Sequence, residues 1–274
     1  MGKTKSALRV LVGTVAELTM PHLGRELDDA RNPERAPKLK RAILLARLQR
    51  AERLGDAAAV ERALAAFWRG EAGDRFHGEY AQERFALFRT HHAGVIDALH
   101  SFVQTSGVGL DRLVEIGCGD GSVLAYCADV LPWVKSAIGL DVNATVIAQA
   151  SARQPPASRL SFACAEARDW LTANPQAGTV VLSNGGVLEY FSQENFDRLL
   201  QALALASPAA LVLVEPLADD HDLERRAGSY TFGKESSFSH NHRARLNQAG
   251  FEVVFEQPTQ FEETRAVMMI GVLK

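Results

Sequence analysis

The segment Leu113–Leu124, LVEIGCGDGSVL, limits what this chain can fold into more than any other stretch. An apolar run carrying an acid, Glu115, breaks into Gly117, Gly119 and Gly121 and then resumes as an apolar helix former. A second apolar run, AIGLD, closes on Asp141. A strand, a glycine turn, a helix and a strand ending in an acid make half of a nucleotide-binding α/β unit. The pattern points to an adenosine-containing cofactor and leaves open which one.

The chain around this motif alternates in the same way. Strand-like runs occur at Arg112–Ile116, Ala137–Asp141, Leu160–Cys164, Thr179–Ser183 and Ala210–Glu215, with helical segments between the first, second, fourth and fifth. That alternation predicts a parallel sheet covered on both faces. The end differs: Gly250 stops a helix, and strands follow at Glu252–Glu256 and Arg265–Leu273. Gln257–Thr264 is too short for a crossover helix, so these two strands pair antiparallel. The expected fold is α/β: a Rossmann-like, mostly parallel seven-stranded sheet with a terminal antiparallel hairpin, preceded by an N-terminal helical region. The domains expected are 1–104, helical, and 105–274, cofactor-binding.

In the N-terminal part Leu8, Leu11, Val12, Val15 and Leu18 recur at helical spacing, as do Val60, Ala63, Leu64, Phe67 and Trp68. Between them Pro37 opens a run in which Leu44, Leu48 and Ala51 share a face, and Gly55-Asp56 reads as a stop-and-cap pair. Trp68–Tyr80 has three glycines and no period, which predicts a loop. Phe85, Phe88, His92, Val95, Leu99 and Phe102 then mark a longer helix, with His92 a core histidine.

The glycine spacing is GxGxG, whereas the dinucleotide fingerprint is GxGxxG, with a diphosphate at the helix N-terminus. Asp120 at the turn is ill suited to a diphosphate. With Glu115 it suits a ligand that carries positive charge and no phosphate. VEIGCGDG followed by GLDVN resembles the first two motifs of the class I S-adenosylmethionine-dependent methyltransferases, over about residues 111–274.

That resemblance implies S-adenosyl-L-methionine as cofactor. Glu115, Gly117, Cys118, Gly119 and Gly121 would lie along its methionine and ribose parts, and Asp141 with Val142 would meet the ribose hydroxyls. Glu166 with Ala167 would meet the adenine, although the family more often has Asp preceded by Gly there. Ser183 and Asn184, in VLSNGG, would face the methionine end and the acceptor. This loop is not the Asn-Pro-Pro-Tyr type of enzymes that methylate base amino groups.

An oxygen or nitrogen acceptor must lose a proton, so a nearby base is sought. Candidates are His240 in FSHNH, Glu189 in VLEYF, and Tyr80, which with His77 would sit on a lid. Ser239 or Asn241 would cap the helix that leads to Gly250. The activity implied is methyl transfer to O or N of a small molecule. The alternatives are an RNA or protein methyltransferase, a non-catalytic cofactor-binding scaffold or sensor, and a nicotinamide-dependent oxidoreductase.

Composition separates these only coarsely. With 47% hydrophobic and 23% charged residues and a net charge of -3, the chain reads as an ordinary globular protein. Lys38, Lys40, Arg41, Arg47, Arg50 and Arg53 make the first hundred residues mildly basic, but acids interrupt them and no aromatic-basic interleaving appears, so no nucleic-acid partner is expected. Cys118, Cys127 and Cys164 have neither metal-type nor disulfide-type spacing, so no metal is expected. The absence of an apolar run of about 18 residues or of a secretory signal predicts a cytoplasmic protein without a membrane span. Met1-Gly2-Lys3-Thr4-Lys5-Ser6 formally fits a myristoylation pattern. The N-terminal helices would serve as a cap, a substrate wall or a homodimer interface.

Overall fold

The computed structural model describes residues 2–21, 38–153, 158–233, 236–261 and 264–274. Met1 and Pro37 lie outside them, as do the side chains of Lys38, Lys40, Arg41 and Leu44. The chain divides into two compact units, Met1–Phe76 and His77–Lys274.

The first unit is helical: α1 (Gly2–Thr19), α2 (Lys38–Leu54), α3 (Ala57–Arg69) and the start of α4 (Glu71–Leu87). α1 and α2 approach so closely that a side chain on Gly13 would run into the carbonyl of Ala42. Ile43 and Ala16 are buried together at this crossing. Gly55, at φ +67°, ends α2, and Asp56 caps α3 by accepting from Ala59 N at 2.9 Å. The loop expected over 68–80 is instead helical from Glu71. Glycines at 73 and 78 weaken a helix by about 1 kcal/mol each. Packing outweighs them: the Trp68 ring makes edge contacts with Phe67 and Phe76, each with centroids 5.1 Å apart.

In the second unit α4 runs through a π-helical turn, Phe88–His92, into α5 (Gly94–Ser106). The predicted seam holds: Phe88, His92, Val95 and Leu99 are buried. His92 Nε2 sits 3.3 Å from Gln260 O, and burial lowers its pKa, so the ring is a satisfied neutral core group.

The sheet contains β1 (Arg112–Ile116), β2 (Ser136–Asp141), β3 (Leu160–Cys164), β4 (Thr179–Asn184), β5 (Ala209–Pro216), β8 (Glu252–Phe261) and β9 (Thr264–Leu273), in the order β3-β2-β1-β4-β5-β9-β8. The first five strands are parallel, and β9 runs antiparallel to both β5 and β8. β8 and β9 extend well into the stretch expected to connect them, so the terminal hairpin is longer than the sequence pattern indicates. Helices α6 (Ser122–Val130), α7 (Ala144–Ala152), α8 (Ala167–Ala173), α9 (Gln193–Ala204) and α10 (His242–Gln248) complete the unit. α8, between β3 and β4, and a small hairpin, β6 (Tyr230–Phe232) with β7 (Ser237–Ser239), are too short to leave a periodic signal.

Each sheet face carries its own core. Leu113, Val180, Val212 and Ile270 point to one, with Leu99 and Leu124; Val114, Val181, Leu213 and Met269 point to the other, with Phe196 and Leu246. This period-2 division explains why β4 and β5 read as continuous apolar runs. Strand order reverses between β1 and β4, and ligands of open α/β sheets bind at such a switch point, beyond the strands' C-terminal ends.

Candidate active site

The turn after β1 is built by glycine chemistry. Gly117, Gly119 and Gly121 have φ of +64°, +51° and +79°, a region that L side chains rarely adopt. A Cβ at each would also strike a neighbour: Val187 at 2.5 Å, His77 Nδ1 at 2.9 Å and the Phe162 ring at 2.5 Å respectively. The turn is therefore packed from three elements at once.

Asp141, at the end of β2 and 6% exposed, holds this turn. Its Oδ2 accepts from Gly119 N at 3.0 Å and its Oδ1 from Asn143 N at 2.9 Å. Each carboxylate oxygen keeps a further lone pair for a ligand donor. Cys118 is buried with its N–H bonded to Leu140 O, and its sulfur packs where a side chain on Gly139 would otherwise stand. Asp120 is engaged locally: its oxygens accept from Ser122 N at 3.1 Å and Ser122 Oγ at 2.8 Å, and Arg153 pairs with it at 3.4 Å. It therefore fixes the start of α6.

Glu115 is 3% exposed, and its Oε2 has no hydrogen-bond partner. Burial, followed by the Asp120 and Asp141 carboxylates, pushes its pKa well above the ordinary range, and a backbone hydrogen bond opposes this. A second orphan acceptor, Asn184 Oδ1, lies at the end of β4. Buried acceptors without donors cost about 1–3 kcal/mol each, so these two select a ligand rich in donors and positive charge.

Glu166 follows β3, half-buried, at the N-cap of α8, with Ala167 buried behind it. β3 lies beside β2, with Cys164 opposite Asp141, so Glu166 and half-buried Val142 flank the same edge. Ser183 is turned inward: its hydroxyl donates to Glu215 Oε1 at 2.6 Å.

The loop after β4 places Gly185 and Gly186 at positive φ, and a side chain on Gly186 would collide with Glu189 Oε1. Glu189 lies on a 3-10 turn, Leu188–Tyr190. Val187 from this loop touches Gly117, so the loops after β1 and β4 meet. On α4, His77 reaches Gly119, and Tyr80, 43% exposed, follows one turn later on the same helix.

Residues 113–206 match the model of a methyltransferase domain family. A curated relative, trans-aconitate 2-methyltransferase of Streptomyces avermitilis, is 32% identical over 120 residues, spanning 34% of this chain and 44% of that protein. The chain thus spans under half the length of this relative. Among solved structures, magnesium protoporphyrin IX methyltransferase of Synechocystis with bound S-adenosylhomocysteine superimposes with TM-score 0.55 at 16% identity, covering 78% of this chain and 100% of that one. An S-adenosylmethionine-dependent methyltransferase of Leishmania major gives 0.53 at 13% identity, covering 78% and 83%.

Residues 113–206 thus carry a methyltransferase domain, on a fold shared with S-adenosylmethionine-dependent methyltransferases. The family's cofactor is S-adenosylmethionine, and the residues present fit it. Its ammonium and ribose hydroxyls would offer donors to the unpartnered Glu115 Oε2 and Asn184 Oδ1 and to the remaining lone pairs of Asp141, and its sulfonium would suit an acidic site.

His240 is not at the open edge of this site. It is fully buried, its Nε2 lies 2.9 Å from Leu188 O and its Nδ1 2.6 Å from Ser229 Oγ, and burial lowers its pKa to about 4. Asn241 caps α10 by accepting from Ala244 N at 3.1 Å. Glu215, fully buried under the β4 loop, is the polar residue that sequence reasoning missed. Its signal was present in LVLVEP, an apolar strand ending in an acid, the same pattern that marked Asp141. Among the described residues, no helix is long and apolar enough to cross a membrane.

Proposed function

We propose that the protein transfers a methyl group from S-adenosylmethionine to an oxygen or nitrogen atom of a small molecule. The observation that carries the cofactor half is the ring of buried acceptors, Glu115 Oε2 and Asn184 Oδ1 with the Asp141 carboxylate, around the glycine turn. When bound, the cofactor supplies a methyl already activated on sulfur, which leaves by in-line displacement. The protein's part is to align the acceptor atom, exclude water and take the acceptor's proton. Glu189, carried on the loop that touches Gly117, is the carboxylate best supported as that proton's acceptor. Tyr80 is supported as a neighbour of the methionine end, because His77, three residues before it on α4, reaches Gly119. The small-molecule assignment draws on the curated relative, whose name records a small acid as substrate. A homodimer through the N-terminal unit is supported by the exposed side chains Leu8, Leu11, Val15 and Leu18 on α1.

The test is a panel of small acids, phenols and amines, trans-aconitate included, incubated with labelled S-adenosylmethionine and the full-length protein. A labelled small product with matching S-adenosylhomocysteine is expected. Label entering only RNA or protein, with steep salt dependence, would overturn the acceptor class. Cofactor binding without turnover on any acceptor would instead indicate a sensor or scaffold.

A further inference from the structure

One residue beside the cofactor turn has its backbone N–H and its backbone carbonyl each held by a buried titratable side chain. Leu188, in the 3-10 turn after β4, is itself fully buried. Its N–H donates to Glu215 Oε2 at 3.0 Å, while Val187 N and Ser183 Oγ donate to Glu215 Oε1 at 3.2 and 2.6 Å. Its carbonyl faces His240 Nε2 at 2.9 Å. A carbonyl can only accept, so Nε2 carries the ring proton, and Nδ1 is left to accept the Ser229 hydroxyl at 2.6 Å. The ring is neutral at pH 7, since burial holds its pKa near 4. The tautomer is thereby fixed by Leu188 and Ser229 together.

A buried peptide needs partners, and secondary structure normally provides them. Here the N–H finds its partner on a side chain 27 residues away, ending β5, and the carbonyl, which accepts from Phe191 N at 3.0 Å within the turn, takes a second partner 52 residues away, preceding α10. The gripped turn carries the two groups that face the site, Val187 against Gly117 and Glu189 over Gly186.

We propose that Glu215 and His240 are positioning residues: by fixing the Leu188 peptide they set Val187 against the cofactor turn and Glu189 at the acceptor end. This rests on the methyltransferase reading of the site. It makes His240 a group that acts through the turn, without meeting the acceptor itself. A pair that merely stabilised the fold would alter unfolding and leave the cofactor affinity of the folded protein unchanged.

The experiment uses full-length protein and the variants Glu215→Leu, Glu215→Gln, His240→Phe and His240→Gln. Folding is checked by urea denaturation, S-adenosylmethionine affinity by calorimetry, and protection of the Val187 and Leu188 amides by hydrogen exchange. Glu215→Leu and His240→Phe should each weaken cofactor binding about tenfold, the effect of one lost hydrogen bond of about 1.4 kcal/mol, and should expose those amides to exchange. His240→Gln, which restores an N–H donor to Leu188 O, should recover most of the affinity. Should Glu215→Leu fail to fold, Glu215→Gln keeps the volume, removes the double acceptor and carries the same expectation. Folded variants that bind within twofold of the wild type and keep their amides protected would overturn the proposal. Failure of the wild type to bind at all would defeat the methyltransferase reading instead, and exchange at Val187 and Leu188 would still decide whether the grip exists.

Discussion

The two halves of the switch point satisfy their polar groups in opposite ways. On the β1–β2 side, Glu115 is buried with an unpartnered oxygen, and Asp141 spends only part of its acceptor capacity on Gly119 and Asn143. On the β4–β5 side, Glu215 and His240 are equally buried, yet their hydrogen bonds are closed within the protein. Asn184 Oδ1 at the end of β4 also awaits a donor, but Glu215 and His240 beside it hold a loop still. Burial alone does not mark a binding group. At the glycine turn, burial goes with an unmade hydrogen bond at Glu115 and Asn184.

The largest effect should separate the halves directly. Asp141→Ala removes the proposed ribose acceptor and the bond that holds Gly119, and should weaken S-adenosylmethionine binding about 100-fold, or about 3 kcal/mol, by calorimetry. Unchanged affinity would remove Asp141 from the site.

The next effect concerns stability against pH. Glu215, raised to about 7 by burial, contributes stability that is full below about pH 4.5 and is lost as pH rises through 7. His240, lowered to about 4, contributes stability that is full above about pH 6.5 and is lost as pH falls through 4. Each amounts to roughly 3 kcal/mol and they oppose one another, so the wild type should show a shallow profile between pH 4.5 and 6.5. Glu215→Gln should unmask the His240 slope, with urea stability rising across that window. A profile unchanged by the substitution would contradict the pairing.

Smaller again is Gly121→Ala, which puts a Cβ against the Phe162 ring at a φ of +79°. It should lower stability by about 1–2 kcal/mol in urea unfolding. By contrast Gly107→Ala, also at positive φ but with open space around it, should cost about 1 kcal/mol or less.

These contrasts also show how far the sequence could be read. Glu115, the three glycines and Asp141 were legible because a tight turn and a strand-end acid each demand particular residue types at fixed spacing. All seven strands of the main sheet were legible from their apolar runs. The helix through 71–80 was not, because its glycines argue for a loop and only the packing of Trp68 against Phe76 overrides them. Glu215 and His240 escaped for another reason. Their partners lie on distant elements, and no local pattern records which buried acid meets which backbone amide.

The most direct measurement is a calorimetric titration of the full-length protein with S-adenosylmethionine, run in buffers of different ionisation enthalpy and repeated with NAD. Burial, with the neighbouring acids, raises the pKa of Glu115 in the free protein, and a cationic ligand shifts it back down. Binding of S-adenosylmethionine should therefore release a proton and tighten as pH rises, the release should vanish in Glu115→Gln, and NAD should not bind. Binding of NAD in place of S-adenosylmethionine, or cofactor binding without proton release, would contradict the acceptor-lined site.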